Sequence, residues 1–415
     1  MSQERARRRD RQVYLRSHPV LFALLAATRR RPAARIGTTV VAHSRDAFTD
    51  GLVRVPLDRT AEGTTGGAAG RLTGGGLLFD QEGDDHRGSR RGLAESLGAD
   101  GVNRLRPVWT EVLDRRLKPL ADGQPVDLVD VAAELSGATA AALLGLTVDP
   151  LALASAARAA AAAGAREHLP GFPFPSHRRA AERAAAHLNA LLDRATRNAS
   201  TGPEAEAGAG SGPEVGARAG VRAGTEAGTG AGTEAGVEAG TGLAAMLAVA
   251  AINTTVAGLP RAAAWCADAD LWAYAETAPE ALTSELLRVT APTPLLPRVA
   301  AAAGTVAGRP VRRGDRLLLI ARHAVGAHDR DPSPSDPAPP QTAQLVFGAG
   351  PHACPGARLA RLQLIDALSA LAPYRPVVHT ARADRASALP SWATLTVIAT
   401  RRPPAPGDPA GRSDG

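Results

Sequence analysis

The sequence predicts a mainly α-helical protein with small β-sheets. Apolar residues recur at helical spacing through most of residues 108–197, and residues 243–267 form one long apolar run. Strand-like pieces are short and few, at residues 38–42, 298–307 and 316–320. Long helices with brief strands between them indicate a large helical part and a small β-rich part.

In the N-terminal part, a helix precedes the strand at residues 38–42, which carries β-branched residues. A helix is expected to start within residues 44–52. Residues 53–76 are rich in Gly and Thr, and they favour a surface loop. Residues 85–97 predict a basic helix.

From residue 108 onward, turn-forming residues interrupt the long helical region at 123–125 and 170–175. Residues 279–289 predict a helix, and residues 331–341 are a Pro-rich coil. Another helix follows Gly356 and runs to Leu371.

We expect a single domain over residues 1–400. Residues 199–242 are a Gly/Ala/Glu/Thr tract with few side chains able to anchor a core, which is typical of a flexible insertion. Residues 401–415 predict a disordered Pro/Gly tail.

Composition limits the class of protein. Of 415 residues, 44% are hydrophobic and 21% charged, as in a soluble globular protein. The low aromatic content, 3%, with abundant Ala, Gly, Arg and Pro, indicates a bacterial genome of high G+C content. The net charge is +7, but the arginines alternate with acids and no aromatic residues interleave with them, so a nucleic-acid partner is not expected. A basic face for an acidic protein partner fits better.

Two further features bear on the compartment. With two cysteines, Cys266 and Cys354, a disulfide framework is not expected, and a reducing compartment is. The apolar run at residues 19–27 is too short to span a bilayer, and no small-residue cleavage site follows it. We therefore expect a cytoplasmic protein without a membrane partner, and Cys266 to be a small buried hydrophobe.

A glycine-punctuated loop presents Cys354 just before a predicted helix. It reads Phe347-Gly348-Ala349-Gly350-Pro351-His352-Ala353-Cys354-Pro355-Gly356. Glycines let the backbone approach a flat cofactor and point amide hydrogens at one sulfur, which stabilises the thiolate that binds a metal. A lone Cys in a Gly-rich turn is more often inert, so the interpretation of Cys354 as a metal ligand depends on the whole run of ten residues.

This run resembles the haem-binding loop of the cytochrome P450 family, Phe-Gly-x-Gly-x-His-x-Cys-x-Gly, at every fixed position. The resemblance extends over about residues 15–400, apart from the insertion, and implies the cytochrome P450 fold. It implies haem b as the cofactor, with Cys354 as the axial thiolate ligand of the iron. Phe347, Gly348 and His352 would belong to the cofactor site, with His352 on a haem propionate.

Other family elements stand in the expected order. Glu285 and Arg288 match the family's Glu-x-x-Arg pair, which lies buried behind the haem, although this spacing is more often a solvated surface pair. His86 and Arg90 match the helical His-x-x-x-Arg that holds a propionate, and Arg298 stands where the family places another propionate-binding Arg.

The long apolar helix departs from the family pattern Ala-Gly-x-acid-Thr-Thr. It reads Ala250-Ala251-Ile252-Asn253-Thr254-Thr255. By the resemblance Thr254 and Asn253 are the catalytic positions, but Asn253 cannot relay a proton by ionising. The alternative for Thr254 is a hydroxyl bonded to the preceding turn. A second departure is that residues 331–344 lack the Arg that completes the family's triad with Glu285 and Arg288.

The resemblance implies a monooxygenase that oxidises a small organic molecule, plausibly a secondary metabolite, with O₂ and electrons from a ferredoxin and its reductase. Ala250, Ala251, Leu295 and Leu296 are expected to line the substrate pocket. Asn253 leaves open oxidative coupling, ring closure or desaturation without oxygen insertion. A third alternative is a non-catalytic binding relative, although such relatives have typically lost the Cys. Basic residues of the expected partner face are Arg87, Arg91, Arg358 and Arg361.

Overall fold

The computed structural model describes residues 2–73, 75, 76, 78–168, 175–200 and 232–400. The helices are α1 Ser2–Ser17, α2 Pro19–Thr28, α3 Arg45–Thr49, α4 Thr65–Thr73, α5 Gly83–Leu97, α6 Ala99–Leu117, α7 Leu128–Leu144, α8 Pro150–His168, α9 Pro175–Ser200, α10 Gly232–Ala269, α11 Trp272–Thr277, α12 Pro279–Thr290, α13 Ala321–Ala324, α14 Pro340–Ala343 and α15 Ala357–Leu371.

Nine short strands form three small sheets in the described chain. The strands are β1 Ala33–Ile36, β2 Thr39–Ala42, β3 Val126–Asp127, β4 Leu296–Val299, β5 Gly304–Val306, β6 Arg309–Val311, β7 Arg316–Leu319, β8 Val377–Ala383 and β9 Trp392–Ile398. The largest sheet has the order β1-β2-β7-β4, in which β2 and β7 run parallel and the other pairs antiparallel. The others are β3-β9-β8 and the hairpin β5-β6. A mainly α protein with small sheets is confirmed.

The main core lies where α6, α7, α10 and α15 pack together. Helix α7 is apolar on most of its surface, as expected of a helix buried on several sides. Asp127 caps its start by accepting a hydrogen bond from the Val129 amide at 2.9 Å, and Gly145 ends it at φ +64°.

Helix α10 explains the long apolar run. Among the described residues, its segment Gly240–Ala269 is the one helix long and apolar enough to cross a membrane, and just over half of that run is buried inside the protein. Because α10 packs against α7, α8 and α1, its apolar surface serves the core.

The expectation of a surface loop over residues 53–76 is wrong in part, because α4 lies within it. Thr64 caps α4 by accepting a hydrogen bond from the Gly67 amide at 3.0 Å. A Cβ at Gly66 would lie 2.1 Å from the Arg59 carbonyl oxygen, so glycine is needed there for close packing. Packing against α10 and β4 therefore overrides the low helix propensity of these glycines.

Several predictions fall on residues outside the described ones. They are residues 170–174 of the expected turn, most of the insertion at 199–242 and the tail at 401–415. Helix α10 begins at Gly232, within the segment expected to be the insertion.

Candidate functional site

The loop of residues 347–356 is closed by its own backbone. The Cys354 amide donates to the Phe347 carbonyl at 2.8 Å. Gly348 and Gly350 have φ of +80° and +72°, a region that L side chains rarely adopt. The loop therefore needs glycine at both positions, and it delivers Cys354 to the start of α15, which Gly356 precedes.

The Cys354 side chain is accessible from outside, although protein atoms surround its sulfur closely. The residue is exposed, yet burial raises the pKa of its thiol. A hydrogen bond from the Gly356 backbone and the charge of Arg90 lower that pKa in part. A bound metal cation would lower the pKa of the Cys354 thiol, because a thiol that coordinates a metal is deprotonated.

Helix α5 brings His86 and Arg90 to this loop. Arg90 Nη1 donates to the Ala353 carbonyl at 2.5 Å, next to Cys354. The His86 ring stacks on the His352 ring with centroids 3.8 Å apart and planes 27° apart. These residues, expected from the sequence to act together, lie side by side.

Both imidazoles are held neutral. Burial lowers the pKa of His352 to about 3, and the charges of Arg59, Arg298 and Arg90 act in the same direction. Burial also lowers the pKa of His86, followed by the charges of Arg90 and Arg59. Burial is the larger cause for both rings, and the charges of the neighbouring arginines add to it.

Arg298 lies in β4, and its guanidinium is only partly hydrogen-bonded. Its Nη1 donates to Thr65 Oγ1 at 3.0 Å and to the Pro297 carbonyl at 2.8 Å. Its Nε is buried without a hydrogen-bond partner among the described residues. Burial and then the charge of Arg59 lower the pKa of Arg298 to about 10. A buried donor without a partner indicates a site for an acceptor.

Arg59 belongs to the same cluster, and sequence analysis missed it. Its Nε donates to Glu82 Oε1 at 3.0 Å, and burial lowers its pKa more than Glu82 raises it. Arg59 stands in a Gly/Thr-rich segment with no helical or strand periodicity, so nothing in the sequence pointed to it. We call the charged Arg59, Arg90 and Arg298, together with the neutral rings of His86 and His352, the cation cluster.

Behind the loop, Glu285 and Arg288 form a buried bidentate ion pair. Arg288 Nε and Nη2 donate to Glu285 at 3.0 and 2.7 Å. Burial alone would raise the pKa of Glu285, but Arg288 and the amides of Ala338 and Ser333 lower it. The pair is internal, not a solvated surface pair.

The residue missing from the family triad has a partial substitute. Arg330, which precedes the segment that lacks an Arg, places Nη2 3.7 Å from Glu285 Oε2. Arg330 also binds Asp336, with Nη1 2.9 Å from Oδ2, so its charge is shared between two carboxylates. Its carbonyl and that of Asp331 accept from Arg288 Nη2, both at 3.1 Å.

On α10, Thr254 Oγ1 donates to the Ala250 carbonyl at 2.8 Å. Asn253 Nδ2 donates to the Val249 carbonyl at 2.8 Å, and its side chain lines a cavity of about 350 Å³. Arg158 and Asp384 also line that cavity. The hydroxyl therefore does bond to the preceding turn, and its catalytic role stays a prediction.

The four expected pocket residues are all partly buried. Leu296 shares a face of β4 with Arg298, because side chains alternate along a strand. Leu295, by contrast, packs against the apolar cluster of Leu25, Val41 and Ile320. The lining roles of Ala250 and Ala251 stay predictions.

Comparison with known proteins now gives the fold a name. No protein-family model matches the sequence, and no curated protein matches it. A mutant of P450 EryK, solved in complex with erythromycin B, aligns with a TM-score of 0.71 at 21% identity over 94% of this chain and 98% of that one. CYP108D1 from Novosphingobium aromaticivorans aligns with a TM-score of 0.66 at 19% identity, over 92% and 94%.

Mycobacterium smegmatis CYP164A2, in its ligand-free state, aligns with a TM-score of 0.64 at 23% identity, over 92% of this chain and 99% of that one. The chain has the cytochrome P450 fold. The expected fold is therefore confirmed over nearly the whole described chain.

The residues present fit the haem that a P450 fold implies. The accessible Cys354 thiol offers one sulfur ligand to an iron. The cation cluster has the partly exposed Glu82 as the one carboxylate hydrogen-bonded to it in the described chain, and it leaves Arg298 Nε without a partner. The two carboxylates of a haem would supply the missing acceptors and charge.

Proposed function

We propose that this chain is a haem-thiolate monooxygenase that oxidises a small organic molecule with O₂ and electrons from a ferredoxin. The observation that carries the proposal is the accessible Cys354 thiol beside a partly buried, under-neutralised cation cluster. A bound haem would supply the iron chemistry that activates O₂. In support of a natural-product substrate, the P450 EryK structure holds erythromycin B.

The chain's own residues would hold the cofactor in defined ways. Cys354 Sγ would bind the iron, and the hydrogen bond from Gly356 would stabilise its negative charge. His86, Arg90, Arg298 and His352 would bind the carboxylates. Gly348 would keep the loop backbone close to the ring.

The test is a difference spectrum of the reduced, carbon monoxide-bound protein. A band at the position typical of thiolate ligation is expected in the wild type and in Cys266→Ala, because Cys266 is buried away from the loop. Cys354→Ser should lose that band. A wild type without a Soret band would refute the proposal and favour a non-catalytic binding protein.

On the distal side, Thr254 would hold a proton at Oγ1. Because its hydroxyl donates to the Ala250 carbonyl, its lone pairs stay free to accept a hydrogen bond. Asn253 would orient water from the polar cavity that it shares with Arg158 and Asp384, in place of ionising itself.

The substitution at Asn253 favours a second candidate reaction, oxidative coupling, ring closure or desaturation without oxygen insertion. Turnover under isotopically labelled O₂ separates the two. Label in the product supports oxygen insertion, whereas a product without label supports the second candidate.

For the ferredoxin, the basic face consists of Arg87, Arg91 and Arg358, which are exposed. Arg361 contributes less, because its guanidinium lies 5.1 Å over the Phe347 ring and donates to Gln344. Changing the three exposed arginines to Glu should slow ferredoxin-driven turnover and weaken its salt dependence. Arg178→Glu, at an exposed site on α9, is the control. Equal rates of ferredoxin-driven turnover in both variants would contradict a role for this basic face.

A further inference from the structure

Arg59 lies beside Arg298 through backbone pairing between segments far apart in the sequence. Leu57 pairs antiparallel with Ala300, and the Asp58 amide donates to the Val299 carbonyl at 2.8 Å. Continuing this register places Arg59 opposite Arg298. The Arg59 side chain is 11% exposed.

A second contact ties Arg59 to helix α5. Its Nε donates to Glu82, the residue before α5 and four positions ahead of His86. The charge of Arg59 is felt at His86, His352 and Arg298, where it acts to lower each pKa. Arg59 therefore faces the cation cluster, with β4 on one side and α5 on the other.

The backbone of Arg59 is built into the start of α4. Asp58 Oδ1 accepts from the amides of Thr60 and Ala61, both at 3.0 Å. Thr64 Oγ1 donates to the Ala61 carbonyl at 2.7 Å and lies 3.1 Å from the Arg59 carbonyl. That carbonyl also packs on Gly66 in the first turn of α4, so the backbone of Arg59 is in direct contact with the start of the helix.

In the part of the chain that the structure describes, Arg59 lacks a carboxylate partner that neutralises its charge fully. Glu82 is its one carboxylate partner within the described residues, and that side chain is 59% exposed, so it neutralises Arg59 weakly. Burying two adjacent guanidiniums, Arg59 and Arg298, is unfavourable until an anion joins them. The arrangement is thus suited to a carboxylate that arrives from outside the chain.

We propose that Arg59 is a cofactor-binding residue that binds a haem carboxylate and thereby makes the position of α4 depend on the cofactor. The inference rests on the proposed function, because it requires haem. Helix α4 packs against α10, which carries Ala250 and Thr254, so loading the cofactor would order one wall of the substrate side.

The experiment measures hydrogen exchange of peptides covering residues 57–73, with and without haem, together with the rate of haem transfer to apomyoglobin. In the wild type, haem should slow exchange of these peptides. In Arg59→Gln, the haem-dependent protection should largely vanish and haem transfer should accelerate by roughly tenfold, as for a lost charged hydrogen bond. Arg59→Lys, which keeps the charge, should recover part of both effects.

Two controls separate this role from simple structural support. Arg54→Gln, on an exposed side chain in the preceding turn, should behave as the wild type. Glu82→Gln should retain haem-dependent protection, because the haem contact remains. If Glu82→Gln loosens residues 57–73 as much as Arg59→Gln does, or if Arg59→Gln changes neither readout, the inference is wrong.

The two failures can be told apart. A wild type that takes up haem with a thiolate spectrum, but shows no Arg59 effect, overturns the role of Arg59 alone. A wild type that takes up no haem overturns both proposals.

Discussion

Two pairs of charged residues near the Cys354 loop differ in how their charge is neutralised. Arg288 meets Glu285 through two hydrogen bonds, and its remaining donors reach the carbonyls of Gly326, Arg330 and Asp331. Arg298 has no carboxylate partner in the described chain, its neighbour Arg59 is also a cation, and its Nε is unpartnered. A self-satisfied ion pair is typical of structural support, and an unsatisfied pair of cations is typical of a binding site.

The largest effect is expected from breaking the satisfied pair. Glu285→Gln leaves the Arg288 guanidinium buried without its counter-charge, which should lower the free energy of unfolding by about 3–5 kcal/mol. Urea denaturation of the haem-free protein measures it. Glu182→Gln, in an exposed pair with Arg178, is the control and should cost about 0.5 kcal/mol or less. A Glu285→Gln protein as stable as that control would contradict the structural role.

The opposite pattern is expected at the unsatisfied pair. Arg298→Gln removes a buried guanidinium without a carboxylate, so the haem-free protein should keep its stability to within about 1 kcal/mol. Haem binding should weaken by roughly 10- to 100-fold, because a charged hydrogen bond is lost. Urea denaturation and haem titration measure the two quantities. If Arg298→Gln destabilised the haem-free protein as much as Glu285→Gln, the two pairs would not differ in kind.

The smallest effect concerns pH. The folded pKa of His86 is lowered from 6.5 by burial and by Arg90 and Arg59. As pH falls through 6.5, the unfolded chain therefore binds a proton that the folded chain does not, and stability falls. We expect His86→Gln to flatten the decline in haem-free stability between pH 7.5 and 5.5. His379→Gln, at an exposed histidine of β8, should leave the slope of stability against pH unchanged. An equal flattening in this variant would show that the cation cluster is not the cause of the effect.

The sequence predicted those parts of the site that are local along the chain. The loop around Cys354 needs glycine at positions 348 and 350, a requirement visible in ten consecutive residues. Glu285 and Arg288 are three positions apart on one helix, so their contact follows from helix geometry. His86 and Arg90 lie one turn apart for the same reason, and their relation to the loop came from the family resemblance.

What the sequence could not show depends on residues that meet only after folding. Arg330 lies ahead of the segment where a triad Arg was sought, yet the chain turns so that it approaches Glu285. Leu295 and Leu296 are adjacent in the sequence, but the β4 register sends them to opposite faces of the sheet. Helix α4 forms from glycines that no propensity favours, because their missing side chains permit close packing.

The sequence by itself determined the helical architecture and the cysteine loop, since both are written in spacing and in backbone requirements of consecutive residues. Tertiary structure decided the charge of the site. Arg59 and Arg298 are 239 positions apart, and only the pairing of residues 57–58 with 299–300 brings them close enough for the charge of Arg59 to act on Arg298. Electrostatic energy depends on distance in space, so a cluster built from two distant segments leaves no local signature.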